Sequence, residues 1–255
     1  MNFLSALAVA ACLIAGVRPA AAQWQQLSES GAGFTSESGK HELSVDIGAT
    51  LPASSLKLDF AGTALAPFSS GFTGHIGKRS LMAVVEYFHN TRSPISWGLE
   101  ANYMPRGRNV INDIHSRGAD LEIESRSAML LFLLRLAPRK PSRIRPFIVG
   151  GVGVADTSLA AGIRPRDEDG FAWIDTGYAE RRDIINDRRT GLAYSAKTGV
   201  DVSIGDSGSV GLFLGWYGIP AQSYHPAGVG TVWGFSEQKV AVNSVAAGAR
   251  FAYRF

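Results

Sequence analysis

From residue 41 onward the chain alternates apolar and polar positions with a period of two, in one stretch after another. That period marks β-strands with two unlike faces. In the last stretch, 239–255, Val245, Ala247, Ala249, Phe251, Tyr253 and Phe255 share one face, while Ser244, Ala246, Gly248, Arg250, Ala252 and Arg254 share the other. The first, 41–51, sets Leu43, Val45, Ile47, Ala49 and Leu51 against Glu42, Ser44, Asp46, Gly48 and Thr50. Six more strands are predicted between them. In 71–89, Leu81, Ala83, Val85 and Tyr87 oppose Glu86, and in 95–103, Ile95, Trp97, Leu99, Ala101 and Tyr103 oppose Glu100 and Asn102. Strand 121–136 presents Leu130, Phe132, Leu134 and Leu136, although Leu131 and Leu133 make its second face apolar too. Strand 147–155 is blurred by Gly150, Gly151 and Gly153. Strand 191–205 sets Leu192, Tyr194, Val200 and Val202 against Ser195, Lys197, Gly199 and Asp201, and 209–219 sets Val210, Leu212, Leu214 and Trp216 against Gly211, Phe213, Gly215 and Tyr217.

The connections alternate in length. Residues 52–70, 105–119, 156–190 and 220–238 are long; 89–94, 138–146 and 206–208 are short. In an up-and-down sheet alternate connections share an end, so one end carries all the long loops and the other all the turns. The predicted fold is all-β, an eight-stranded antiparallel up-and-down barrel. Its polar face holds small residues and a few charges of both signs: Asp46, Glu86, Glu100, Lys197, Asp201, Arg250 and Arg254. A solvated face carries more Lys, Glu and Gln. Eight strands leave an interior just wide enough for side chains to fill, where charges must pair. A soluble barrel of the lipocalin kind would reverse the two faces. The composition of the polar face therefore assigns these charges to the interior and the apolar face to lipid, with aromatics near the strand ends forming interfacial girdles.

The 255-residue chain is long enough for one large all-β domain. Past the N-terminus no apolar run reaches the roughly 18 to 20 residues of a spanning helix. A net charge of +3 is too small to argue for nucleic acid. Residues 1–22 read as a secretory signal, with an apolar run over 4–17 and small residues before a cut at Gln23. Val9-Ala10-Ala11-Cys12 also fits a lipoprotein box, but the apolar run continues past it. Cleavage after Ala22 removes Cys12, the single cysteine, and with it disulfides, cysteine nucleophiles and cysteine-bound zinc. Residues 23–40 form a flexible periplasmic lead-in, and 41–255 the barrel.

Four stretches carry a family resemblance: Trp97-Gly98-Leu99-Glu100, Pro146-Phe147-Ile148-Val149-Gly150-Gly151-Val152-Gly153, Gly199-Val200-Asp201, and the closing Gly248-Ala249-Arg250-Phe251-Ala252-Tyr253-Arg254-Phe255. Over 41–255 the chain resembles the eight-stranded outer-membrane β-barrels of the OmpA and OmpX type. The resemblance implies the outer membrane of a Gram-negative-type cell, a carboxyl terminus on the periplasmic side, and contact with outer-membrane lipid and lipopolysaccharide. It also implies that the barrel-assembly machinery reads Phe251, Tyr253 and Phe255. It implies no single activity, since such barrels serve as structural proteins, adhesins, small-solute conduits and, in a few cases, lipid A enzymes.

The residues themselves predict no catalytic, cofactor or metal site. His41, His75, His89, His115 and His225 fall in no recognisable pattern with Ser and an acid. Asp167-Glu168-Asp169-Gly170 lacks the first and last ligands of a calcium loop, and the Gly150 cluster lies within a strand rather than before a helix. The expected role is structural or surface-binding, exerted through the long loops around a plugged lumen. The alternatives are a rim-active lipid A hydrolase or acyltransferase, and a narrow conduit for small or hydrophobic solutes. The longest loop, 156–190, holds the binding candidates Arg164, Arg166, Phe171, Trp173, Tyr178, Arg181 and Arg182. Arginine forks suit the phosphates of lipopolysaccharide; the aromatics suit a lipid interface or an undefined surface partner.

Overall fold

The computed structural model describes residues 41–59, 63, 71–76, 80–91, 93–111, 119–138, 143–165 and 182–255. Residues 1–40, where a signal segment and a lead-in are expected, lie outside the described residues. The strands are β1 (His41–Pro52), β2 (Ser55–Asp59), β3 (Gly71–His75), β4 (Ser80–Asn90), β5 (Ile95–Ile111), β6 (Ala119–Leu136), β7 (Ile144–Pro165), β8 (Arg182–Ile204), β9 (Gly208–Tyr224) and β10 (Gln238–Arg254). One short helix, α1 (Val229–Val232), precedes the last strand. Eight strands close a barrel in the order β1-β10-β9-β8-β7-β6-β5-β4. All neighbours are antiparallel, and β1 seals against β10 with Val45 opposite Phe251 and Asp46 opposite Arg250. This is the predicted eight-stranded antiparallel up-and-down barrel.

The outer wall carries the predicted apolar face. Leu81, Ile148, Leu192 and Leu212 are 61–71% exposed, and Leu130, Phe132, Leu134 and Leu136 lie beside them on the same surface. Apolar surface on this scale, running round a closed barrel whose charges point inward, is a lipid-facing belt. Rings mark its edges. His41, Tyr253, Phe255 and Trp97 cluster at the short-turn end, with His41 stacked on Phe255 and Trp97 on Phe132; Tyr194 and Trp216 meet at the opposite edge.

Two corrections concern the strands. The predicted strand 71–89 is two separate elements. Residues Gly71–His75 pair with β2 in a hairpin outside the barrel ring, and the barrel strand begins only at Ser80. The hairpin answers to a different core: Leu56, Leu58 and Ile76 are buried there. Parts of the predicted long loops are also strand. β5 runs to Ile111, β7 to Pro165, β9 to Tyr224, and β8 starts at Arg182, so the wall rises well past the apolar belt. The reason is a change of surroundings. Inside the belt β7 points Ile148, Val152 and Val154 outward; beyond it Leu159, Ala161 and Ile163 point inward and are buried. β6 shows the same inversion, from Leu130–Leu136 outward to Leu121 and Ile123 inward. When the solvent changes from lipid to water, the apolar set moves to the other face, and a periodicity count loses its phase. Bulges at Met104/Gly107, Ala161/Gly162 and Val240/Val242 shift the register further.

The interior is filled by two stacked cores. Within the belt Met82, Phe88, Leu131, Leu133, Phe147, Phe213 and Tyr217 surround the buried charges. Gly199 makes room for this packing, since a Cβ there would sit 2.5 Å from Cζ of Phe147. Above the belt Leu56, Leu58, Leu121, Ile123, Leu159, Ile184 and Tyr224 form the second core, closed over by Phe235.

Candidate functional site

Successive inward positions of the wall deliver ionisable groups to one axial column. Asp46 comes from β1, Glu86 from β4, Glu100 from β5, Lys197 and Asp201 from β8, and Arg250 from β10; all six are at most 3% exposed. Lys197 Nζ lies 2.5 Å from Asp46, hydrogen-bonds Glu86 and stands 4.0 Å from Glu100. Arg250 is the hub. Its guanidinium donates to Asp46 at 3.2 Å, to Glu86, and to Glu42 at 3.2 Å, and its Nε is 3.6 Å from Asp201. Ser44 donates to Glu86 at 3.0 Å and Asn102 to Glu100 at 3.3 Å. Aromatic faces line the cations, with Phe213 5.4 Å from Lys197 and Phe147 5.1 Å from Arg250. Arg254, the seventh expected charge, sits at the short-turn mouth, with Nε donating to Glu42 at 3.1 Å.

The expected set omits three members. Glu42 holds the right place in the β1 alternation and is fully buried. Arg135 hides behind Leu131 and Leu133, which make its face of β6 look apolar. Arg145 reads as part of a basic turn, but it is the second residue of β7 and approaches Glu42 at 3.6 Å.

At the opposite rim, Arg164 and Arg182 belong to β7 and β8 rather than to a loop. Arg164 lies 3.0 Å from Glu122, which Arg108 also engages. Arg166, Phe171, Trp173, Tyr178 and Arg181 lie outside the described residues. Arg188 forks Asp156 at 2.7 and 2.8 Å. A second group ties the β9–β10 connection down. Asp187 accepts from the His225 backbone N–H at 2.9 Å, from the Arg188 N–H at 2.8 Å and from the Arg189 guanidinium at 2.7 Å, while Arg189 also meets the His225 ring. Ala227 N–H donates to the Ile184 carbonyl at 2.8 Å, and Gly230 lets α1 approach so closely that a Cβ would fall 2.2 Å from that carbonyl oxygen. The connection predicted as the last long loop is thus folded onto the barrel top as a lid.

Burial would raise the Asp187 carboxyl, but the hydrogen bonds from His225, Arg189 and Arg188 outweigh it and hold the group below its ordinary value. A carboxyl depressed on folding stabilises the clasp above its unfolded pKa, about 3.9, and this contribution is lost as pH falls through the lower folded value. Proteolysis of the unaltered protein within 225–237 is therefore expected to rise below about pH 4, and Asp187→Asn is expected to raise it at neutral pH and to abolish that acid-induced increase. Equal cleavage of both proteins across that range would remove the clasp from the account.

The histidines occupy unrelated places. His41 Nδ1 lies 2.6 Å from the Tyr87 hydroxyl in the aromatic girdle, and His89 packs on Trp97 there. The carbonyl of His75 accepts from Asn109 at 3.0 Å, and His225 belongs to the clasp. His115 lies outside the described residues. Among the described residues no cluster of three or more His, Cys, Asp or Glu side chains is arranged to hold a metal ion.

No family model and no curated protein sequence matches the chain. Solved structures do. The outer membrane protein OprG from Pseudomonas aeruginosa is 14% identical with a TM-score of 0.51, over 85% of this chain and 96% of that one. The outer membrane protease OmpT from Escherichia coli is 10% identical with a TM-score of 0.48, over 88% and 99%. The attachment invasion locus protein Ail of Yersinia pestis is 12% identical with a TM-score of 0.36, over 83% and 99%. At these identities the likeness is one of fold. With its closed ring of eight antiparallel strands, lipid-facing belt and charged interior, the chain has the fold of the eight-stranded outer-membrane β-barrels.

Proposed function

We propose that this barrel is a closed, non-enzymatic platform with a structural or surface-binding role, and that its extracellular rim and loops engage phosphate-bearing lipopolysaccharide or a surface ligand. The observation that carries the reading is the filled lumen. From the arginines at the short-turn mouth through the Lys197–Arg250 network to the core above the belt, the interior is committed to packing. The outer wall is committed to lipid. Recognition then falls to the surface that remains, as is usual for loops on a rigid scaffold. Arg108, Arg164 and Arg188 stand there half-exposed to exposed, and the chain between β7 and β8 holds Arg166, Phe171, Trp173, Tyr178 and Arg181. Guanidinium forks match phosphate oxygens.

Replacing 166–181 by a short Gly-Ser linker is the test. The shortened protein is expected to insert and to keep its heat-dependent gel mobility, while losing co-sedimentation with lipopolysaccharide. Undiminished co-sedimentation would sink the reading, and a stepwise conductance in planar bilayers would replace it with the conduit.

Residues 1–22 act in this reading as the cleaved export signal and 23–40 as a periplasmic lead-in. Phe255 closes the strand that the assembly machinery reads, and its exposed ring stacks with His41 and Tyr253. Deleting Phe255 is expected to lower the inserted fraction several-fold in cells while leaving refolding in detergent nearly intact. Normal insertion of the truncated chain would separate this terminus from assembly.

A further inference from the structure

We propose that the periplasmic mouth of the barrel is a binding site for a compact carboxylate or phosphate anion. A cavity of about 290 Å³ opens at the short-turn end, lined by Asn90, Ser96, Arg135, Arg145, Ser207 and Arg254 among others. Short turns face the periplasm in barrels of this fold.

Around this cavity the guanidinium donors outnumber the acceptors that meet them. Glu42 is a single carboxylate approached by four guanidiniums: Arg135, Arg145 at 3.6 Å, Arg250 at 3.2 Å and Arg254 at 3.1 Å. Two carboxylate oxygens offer about four lone pairs, whereas each guanidinium carries about five N–H donors. Arg250 is turned inward toward Asp46, Glu86 and Asp201. Among the described residues the other three are left with donors that nothing accepts from: Nε of Arg135, Nε of Arg145 and Nη2 of Arg254 are buried without a hydrogen-bond partner there. Arg135 itself is only 4% exposed.

One layer deeper the imbalance reverses, with Asp46, Glu86 and Glu100 gathered on Lys197. Charge is therefore separated along the barrel axis, acids inside and guanidiniums at the mouth. The acids that face the mouth besides Glu42 are Asp201, 3.8 Å from Arg145, and Asp206 on the cavity wall. They equal the three arginines in number, so what the mouth lacks is acceptors for guanidinium N–H groups rather than negative charge. An anion with two or more oxygens completes the donors of this fork geometry, as arginine pairs with carboxylate and phosphate elsewhere. The polar wall of Asn90, Ser96 and Ser207 suits such a ligand and excludes an apolar one.

The full-length barrel refolded in detergent micelles tests this by calorimetric titration with inorganic phosphate and with succinate at constant ionic strength. Saturable binding is expected for at least one of them, with sodium chloride giving none. Arg145→Gln and Arg254→Gln should each weaken that binding about tenfold or more, the loss of one charge-assisted hydrogen-bonded partner. Arg188→Gln, at the far rim, should not change it. Heat-dependent gel mobility checks that each variant folds. In the unaltered protein, backbone amide resonances of Asn90, Ser96 and Ser207 should shift with the same titration curve. No saturable binding of either anion, resonance shifts confined to the extracellular rim, or full affinity in folded Arg145→Gln and Arg254→Gln would overturn the site.

Discussion

Replacing Arg250 with methionine is expected to destabilise the barrel by about 3 to 5 kcal/mol, the usual cost of removing one partner from a buried ionic group. Arg250 is fully buried and touches Glu42, Asp46, Glu86 and Asp201. Without it, these four carboxylates and Glu100 are left, among the described residues, with Lys197, Arg135, Arg145 and Arg254. Lys197→Met should act in the same direction, because it strands Asp46, Glu86 and Glu100. Thr198→Ala, next in sequence but on the exposed outer face, should stay within about 0.5 kcal/mol. Urea unfolding in micelles, followed by heat-dependent mobility, measures all three. Adding Glu86→Gln to Arg250→Met should recover part of the loss, since neutralising a stranded carboxylate removes its burial penalty; a double-mutant cycle quantifies the coupling. Equal, small effects at Arg250 and Thr198 would mean that the column is hydrated and screened.

The second large effect is expected above the membrane. Leu58 on the β2–β3 hairpin is fully buried among Leu56, Leu121, Leu159, Ile184 and Tyr224. Leu58→Ala should cost that core about 2 to 5 kcal/mol by lost transfer energy and a residual cavity. Because this core is distinct from the one within the belt, the loss should stay local. Limited proteolysis from the extracellular side should cut the hairpin and the lid over 225–237 much faster, while heat-dependent mobility of the remaining barrel persists. If the variant resists protease as the parent does, the hairpin contributes nothing to the upper core. If the whole barrel unfolds instead, the two cores are one cooperative unit.

The strand faces within the belt were legible because lipid outside and packed charges inside differ sharply in polarity, and a two-residue period reports such a difference directly. Leu192, Tyr194 and Val200 against Lys197 and Asp201, or Phe251 and Tyr253 against Arg250, need no tertiary information. The charged column was legible for the same reason, since an acid or base recurring on the small-residue face of several strands has nowhere to go but the interior. Arg135 escaped because Leu131 and Leu133 share its face, so that face shows no polarity contrast. The extracellular part of the wall escaped because its surroundings change partway along each strand. Leu159, Ala161 and Ile163 fall on the opposite phase from Val152 and Val154, and a single count over both cancels.

The sequence by itself therefore determined the eight-stranded up-and-down architecture and the orientation of the strand faces within the belt. Both rest on local periodicity against one uniform solvent. Only the tertiary structure decided which charges meet, because Lys197 and Asp46 stand 151 residues apart, and register around a closed ring sets their contact. It also decided that β2 and β3 fold onto the upper core, that the connection after β9 is a lid held by Asp187, and that four guanidiniums converge on Glu42. Those are relations between distant strands, fixed by barrel closure and by a second core whose polarity opposes that of the belt beneath it.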